Sequence, residues 1–136
     1  MEVPAVKKMI AKNELYELEV DIQKNRMYFT PLDVWKSPED VPDYLTDIKK
    51  CANMLKQGFC VLSDITHAVV PSPEVSALLL ESQEILKKMG QKKAAIFNKS
   101  MILDIHLDNI YEQVDQDQLA MRIFDSTEEA EKWLDE

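Results

Sequence analysis

The N-terminal part of the chain alternates between apolar and polar positions. From residue 16 to residue 23 every second side chain is apolar, and the intervening ones are acids or an amide. This period of two predicts a β-strand with one buried and one solvated face. A Lys-Asn pair at 24–25 follows, and because Asn tolerates positive φ it predicts a tight hairpin turn. We expect the second strand of the hairpin to continue to about Trp35, with Pro31 restricting its ladder.

Two later segments have the spacing of amphipathic helices. Residues 37–40, Ser-Pro-Glu-Asp, combine an N-cap, a first-turn proline and acids near the positive end of a helix. Apolar positions then recur at helical spacing as far as Leu55, and Gly58 follows as a C-cap. A second start at residues 72–74 opens a helix that ends at Gly90. Its predicted apolar stripe, expected to be buried against the sheet, contains Val75, Leu78, Leu79, Leu86 and Met89.

The remaining pattern alternates between strands and helices. Residues 59–62 and 93–97 are apolar on both faces, which is typical of strands covered on both sides. A weaker helical pattern occupies residues 101–114. A last strand is expected at residues 119–124. A short helix then follows from Asp125 and carries Ala130, Trp133 and Leu134.

This order predicts an α/β fold with right-handed crossovers and a largely parallel sheet. We expect a mixed sheet of four to five strands, an N-terminal hairpin and about four helices. The strands that begin near Phe59, Lys93 and Leu119 should be parallel to one another. Residues 1–136 are interpreted as a single domain in which residues 1–13 form an N-terminal extension.

Composition narrows the possible functions. The 136 residues carry 16 Lys and Arg against 25 Asp and Glu, a formal charge of −9, and only 2 Gly. An acidic balance argues against a nucleic-acid ligand, because phosphates must be neutralised by a basic face. The scarcity of glycine excludes glycine-rich phosphate loops. No Gly-x-Ser-x-Gly, Walker or Ser-His-Asp pattern is present, so no catalytic function and no cofactor are predicted.

Cysteine usage and hydropathy bear on the compartment. Two cysteines, Cys51 and Cys60, do not make a disulfide framework, and Cys60 is expected to be an inert core thiol. No apolar run approaches the roughly 20 residues that a membrane span needs. We therefore predict a cytoplasmic protein that does not span a membrane. A signal peptide already removed from this sequence is the alternative.

Certain local sequences resemble the STAS, or SpoIIAA-like, domains. Residues 58–64, Gly-Phe-Cys-Val-Leu-Ser-Asp, are similar to the family's strand ending in Asp. An apolar loop, a helix and residues 90–95 follow in the family's order. The ending at residues 122–134, with Arg-Ile-Phe, Glu-Glu-Ala and Trp-Leu, is similar to the close of the STAS/SEC14 group. The resemblance covers residues 14–134 and implies the SpoIIAA-like fold.

The phosphorylation motif of that family is not matched. Regulated members carry Asp-Ser-Ser-Gly at the start of the second helix, and the resemblance implies that a partner kinase modifies one serine. In this chain the phosphoserine position falls on Glu74 and the glycine on Val75. Ser72 carries the nearest hydroxyl, and its two alternative roles are a phosphate acceptor and a plain N-cap.

Candidate binding residues lie at the C-terminal end of the strand that starts at residue 59. Asp64, Thr66 and His67 occupy the edge at which open α/β sheets bind ligands. They could contact a ligand, with Asp64 setting the charge of His67, or simply shape the following loop. Val69 and Val70 make that loop apolar. The loop is then a contact patch, a lid over an apolar pocket or a segment packed under its own helices.

A metal site at residues 104–108, Asp-Ile-His-Leu-Asp, is not supported by helical geometry. On a helix the two aspartates share a face, but His106 points about 200° away. We interpret the segment as a solvated acidic face.

The sequence therefore favours a non-enzymatic STAS-like module that acts through contact with a protein partner or with a second copy of itself. The candidate surface comprises Asp64, Thr66, His67, Val69, Val70, Ser72 and Glu74. The alternative is a carrier of a small apolar ligand, as the SEC14 kinship implies. An enzyme using Asp64 and His67 is the third possibility.

Overall fold

The computed structural model describes residues 7–67, 71–98 and 120–136. Six strands form one mixed sheet in the order β1-β2-β3-β4-β5-β6. Three α-helices and a short 3-10 helix, Pro38–Asp40, accompany it in the described ranges. The strands are β1 Lys8–Lys12, β2 Tyr16–Asp21, β3 Arg26–Pro31, β4 Cys60–Asp64, β5 Lys93–Phe97 and β6 Ala120–Phe124. The helices are α1 Tyr44–Asn53, α2 Pro73–Lys88 and α3 Thr127–Leu134.

The predicted topology is confirmed for the strands that were expected. β2 and β3 form an antiparallel hairpin, and β3, β4, β5 and β6 run parallel to one another. Asn25 has a φ of 55° and its N–H donates to the carbonyl of Ile22 at 3.2 Å, so it ends the turn as expected. The expected helix at residues 101–114 lies outside the described residues.

The expectation of four to five strands is wrong. Residues 8–12 form β1, which pairs antiparallel with β2 and makes the sheet six-stranded. Its register shifts between Met9 and Ala11. Because such a bulge breaks strict alternation, the period-two signal that reveals β2 is weak here. β1 forms by pairing with the backbone N–H and C=O groups of β2, and the side-chain pattern of residues 8–12 does not predict this pairing.

The second strand of the hairpin, β3, is also shorter than expected. It ends at Pro31, and Asp33 then adopts a φ of 54°. Trp35 lies beyond the strand but is buried, and its indole N–H donates to the carbonyl of Leu15 at 2.8 Å. A buried Trp needs such a partner, so Trp35 anchors the chain where it leaves the sheet.

Alternation along the strands builds a separate core on each face. On one face α1 and α2 pack on the side chains of Leu18, Met27 and Val61. On the other face α3 covers Leu62, Ala95 and Phe124 through Ala130 and Leu134. The parallel strands are thus covered on both sides, as their apolar runs predicted. Among the described residues no helix is both long and apolar enough to cross a membrane.

Candidate functional site

A groove of about 700 Å³ lies on the sheet face that carries α3. Its floor is formed by β2, β3 and β4, and α3 forms one wall. The lining residues are Lys7, Glu19, Tyr28, Thr30, Leu62, Asp64, Thr127, Glu128, Glu131, Lys132 and Asp135. We call this surface the α3 groove.

The groove exists because α3 covers only part of its face of the sheet. α3 contacts β4, β5 and β6, which leaves β2 and β3 beside it without a helix of the described ranges on that face. The polar positions of the alternating hairpin point to this side. Glu19 is directly opposite Tyr28, and Glu17 is opposite Thr30. The solvated face predicted for the first hairpin strand has therefore become a groove floor.

Arg26 holds the groove wall to the sheet. Its side chain is only 2% exposed, and its guanidinium pairs with Glu131 and, at 2.7 Å, with Asp135, both near the end of α3. Lys24 reaches the same Glu131 at 3.6 Å. Burial by itself lowers the pKa of Arg26, but the hydrogen bond to Asp135 and the charge of Glu131 outweigh it, and the pKa stays above its ordinary value. Arg26 is thus a permanent buried cation that orients the carboxylates of α3.

Tyr28 lies in the groove between a cation and a carboxylate. Its hydroxyl donates to Glu131 at 3.0 Å, and the ammonium of Lys7 lies 4.0 Å from the centre of its ring. Burial, and then the charge of Glu131, raise the pKa of Tyr28 above its ordinary value. At neutral pH the phenol is therefore a hydrogen-bond donor with a ring face that accepts cations.

The three residues predicted at the end of β4 do not form one site. Asp64 lines the groove, and its Oδ1 accepts from the Thr66 backbone N–H at 3.0 Å and from the Thr66 hydroxyl at 2.6 Å. This arrangement is a local Asx turn. His67 is exposed, and the described residues include no hydrogen bond or ion pair between it and Asp64. The pairing expected for an enzyme is thus not seen.

The residues at the start of α2 have ordinary helix-end roles. The Ser72 hydroxyl accepts from the Val75 N–H at 3.3 Å, which is the geometry of an N-cap. Glu74 is exposed in the first turn, where its charge complements the helix dipole. Neither residue lines the α3 groove. Val69 and Val70 lie outside the described residues.

Acids outnumber bases in the groove. Five lining residues are acidic and two are lysines, and with Arg26, which pairs with Glu131 and Asp135, the sum is 3 − 5 = −2. Glu19 is half-buried and, like the exposed Glu128, has no ion pair within the described ranges. A half-buried carboxylate without a cation favours a positively charged ligand. No group of three or more His, Cys, Asp or Glu in the described residues has the arrangement of a metal site.

Sequence reasoning missed most of this groove. The sequence pattern places Tyr28 and Glu19 only in a hairpin, and Glu128 and Glu131 only in a short helix. The one usable signal was the dense acidic face of α3 together with the acids alternating along β2. Neither pattern reveals that residues about 100 positions apart lie side by side.

Comparisons with known proteins do not add a family. The chain matches no family model. It likewise matches no curated protein and no solved structure.

Proposed function

We propose that this chain is a non-enzymatic, STAS-like binding module that acts through contact with a protein partner at the α3 groove. The observation that carries the proposal is the groove itself, about 700 Å³ beside a helix and lined by charged side chains. Such a surface suits the charged side chains of a partner better than an apolar molecule, since ligand pockets for apolar molecules are mostly lined by apolar groups.

The STAS-like part of the proposal is supported by the order of elements. An N-terminal antiparallel hairpin is followed by parallel strands, with α1 between β3 and β4 and α2 between β4 and β5, and α3 follows β6. The STAS-like part of the proposal rests on this order together with the local sequences at residues 58–64 and 122–134. Because Glu74 takes the place of the phosphoserine, the proposed module binds constitutively, under the control of its own abundance and that of its partner.

A partner of different sequence is favoured over a second copy docked groove to groove. Two grooves placed face to face would bring an acidic excess against an acidic excess, and like charges in contact oppose association. The remaining alternative, a carrier of a small apolar ligand, rests on the loop that contains Val69 and Val70, which is outside the described residues.

Site-specific photocrosslinking in the cells that make the protein tests the proposal. A photoreactive phenylalanine replaces Thr127 on the groove wall or, as the control, Glu81 on α2. Both positions are exposed, but they lie on opposite sides of the sheet. We expect a protein adduct at position 127 that is absent at position 81.

The captured protein is then purified for binding measurements. Glu128→Lys should raise its Kd at least tenfold, and Glu81→Lys should change the Kd less than twofold. Equal losses for the two variants would contradict docking at the groove.

Native mass spectrometry of the purified chain addresses the alternatives. A dimer would overturn the proposal in favour of self-association. An apolar molecule that co-purifies with the chain and stays bound without any protein partner would overturn it in favour of a carrier.

A further inference from the structure

One of the two lysines that line the α3 groove, Lys7, lies on an aromatic ring. The ammonium of Lys7 lies over the ring of Tyr28 at 4.0 Å, and Lys7 is one of the lining residues. Lys7 is nevertheless exposed, and it precedes β1 rather than belonging to it. Because an exposed lysine has many open positions in water, its place on this ring marks a favourable position for positive charge.

The neighbouring lysine provides a contrast. Lys8 is opposite Val20, whose side chain belongs to the core on the other face of the sheet. Side chains of directly opposite residues share a face, so Lys8 is on the far side from the groove. Adjacent lysines with the same charge therefore differ in whether they reach Tyr28.

Only some of the carboxylates around this position form ion pairs or hydrogen bonds within the described residues. Arg26, Lys24 and the Tyr28 hydroxyl all contact Glu131. Glu19, directly opposite Tyr28 on the same face, is half-buried and has no ion pair within the described residues. The groove thus offers an aromatic face and, beside it, a carboxylate that forms no ion pair among the described residues, and Lys7 contacts only the aromatic face.

We infer that Lys7 occupies, in the free protein, the position that a Lys or Arg side chain of the partner takes in the complex. This inference rests on the proposed function and names the chemistry of the partner, which is a basic segment. The incoming cation contacts the ring of Tyr28 and the carboxylates of Glu19 and Glu128, and it displaces the ammonium of Lys7. Lys7 is then an internal competitor that lowers the apparent affinity of the groove for basic segments.

NMR titration of the full chain with short peptides tests this inference. The probe is the capped tripeptide acetyl-Gly-Arg-Gly-amide, and its neutral control contains citrulline in place of Arg. We expect the Arg peptide to shift the amide signals of Tyr28, Glu19 and Glu128, with a Kd that rises with salt. The citrulline peptide should leave these signals in place.

Two pairs of variants separate competition from general electrostatics. Lys7→Ala should lower the Kd of the Arg peptide about threefold or more. Lys8→Ala removes the same single positive charge from the other face of the sheet, and it should change the Kd less than roughly 1.5-fold. Glu19→Gln and Glu128→Gln should each raise the Kd severalfold, whereas Glu81→Gln on the other face should leave it nearly unchanged. Glu128 is exposed, so its variant reports on binding even where Glu19→Gln disturbs folding.

Each contrary result has a distinct meaning. Equal effects of Lys7→Ala and Lys8→Ala would overturn the competition, and equal effects of Glu19→Gln, Glu128→Gln and Glu81→Gln would overturn the cation site. A partner captured at position 127 that does not use a basic segment would overturn this inference and leave the proposed function standing. Peptide binding in the groove without any captured partner would overturn the proposed function and leave only the cation site on Tyr28 standing.

Discussion

Arg26 shows how a residue's role depends on its burial more than on its type. The sequence places it at the start of a strand next to a turn, where an exposed arginine would be ordinary. In the structure it is almost wholly buried, and its carboxylate partners come from residues more than 100 positions later. Its Nε has no hydrogen-bond partner within the described residues. A buried cation in this state depends strongly on the carboxylates it has.

Removing one of those carboxylates should therefore destabilise the protein markedly. We expect Glu131→Ala to lower the free energy of unfolding by about 3 kcal/mol, because it leaves the Arg26 charge buried with one partner fewer. Asp135→Ala should lower it by only about 1 kcal/mol, since the Asp135 side chain is 58% exposed and water replaces much of the interaction. Urea unfolding followed by circular dichroism measures both values.

A third variant identifies the cause of the Glu131 effect. If the loss arises from the stranded charge, Arg26→Met in the Glu131→Ala background should be more stable than Glu131→Ala alone. A double variant that is less stable than the single one would show that packing of the Arg26 side chain, and not its charge, dominates.

At the scale of elements, α2 shows where helical periodicity stops being informative. The apolar stripe predicted Leu79 to be buried, but Leu79 is only partly buried at the margin of the core. The side chains of α2 that are fully buried are Val75, Ser82 and Leu86. Ser82 is accepted in the core because its hydroxyl donates to the carbonyl of Leu79 at 2.7 Å and lies 3.2 Å from the Tyr44 hydroxyl.

The two leucines should differ in their effect on stability. Leu86→Ala should lower the free energy of unfolding by about 2–5 kcal/mol, because Leu86 is 3% exposed and its removal leaves a cavity. Leu79→Ala should lower it by less than about 2 kcal/mol, since water can fill part of the space at the margin. Chemical denaturation of the two variants decides the order, and a larger loss for Leu79→Ala would contradict the position of Leu79 at the margin of the core.

At the scale of the whole molecule, the core contains acids that are kept protonated. Burial raises the pKa of the Cys51 thiol to about 12, from a reference of 9.0. Burial also raises the pKa of Tyr16 and of Tyr44 above the reference of 10.0, and Asp47 adds to the effect at Tyr16. In the unfolded chain these groups ionise near their reference values, so above about pH 9 the folded state holds more protons.

Stability should therefore fall in alkali. The contribution of these groups is fully present below about pH 9 and is lost as pH rises towards the raised pKa values, with a slope of up to about 1.4 kcal/mol per pH unit for each proton. Urea unfolding at pH 8, 9, 10 and 11 under reducing conditions measures this loss. Cys51→Ala should lessen the fall between pH 9 and 10, because the Cys51 thiol, with its lower reference value of 9.0, contributes more there than either Tyr16 or Tyr44 does. A stability that stays level to pH 11 would contradict the assignment.

The sequence by itself determined the elements whose signal is local. Alternation along residues 16–21 revealed β2, and Ser72 followed by proline marked the start of α2. The apolar runs of β4 and β5 predicted parallel strands covered on both faces. Each of these features follows from the period of a strand or a helix, or from the chemistry of a cap, and so is written in neighbouring residues.

Only the tertiary structure decided the α3 groove and the additional strand β1. β1 forms because β2 offers it a ladder, and its bulge removes the alternation by which a strand is recognised. Tyr28, Arg26 and Glu131 meet because α3 lies on the neighbouring strand β4, within reach of the long side chains of β3. Burial of charge and contact between distant elements are properties of the packed chain, and no local pattern specifies which carboxylate a buried arginine will meet.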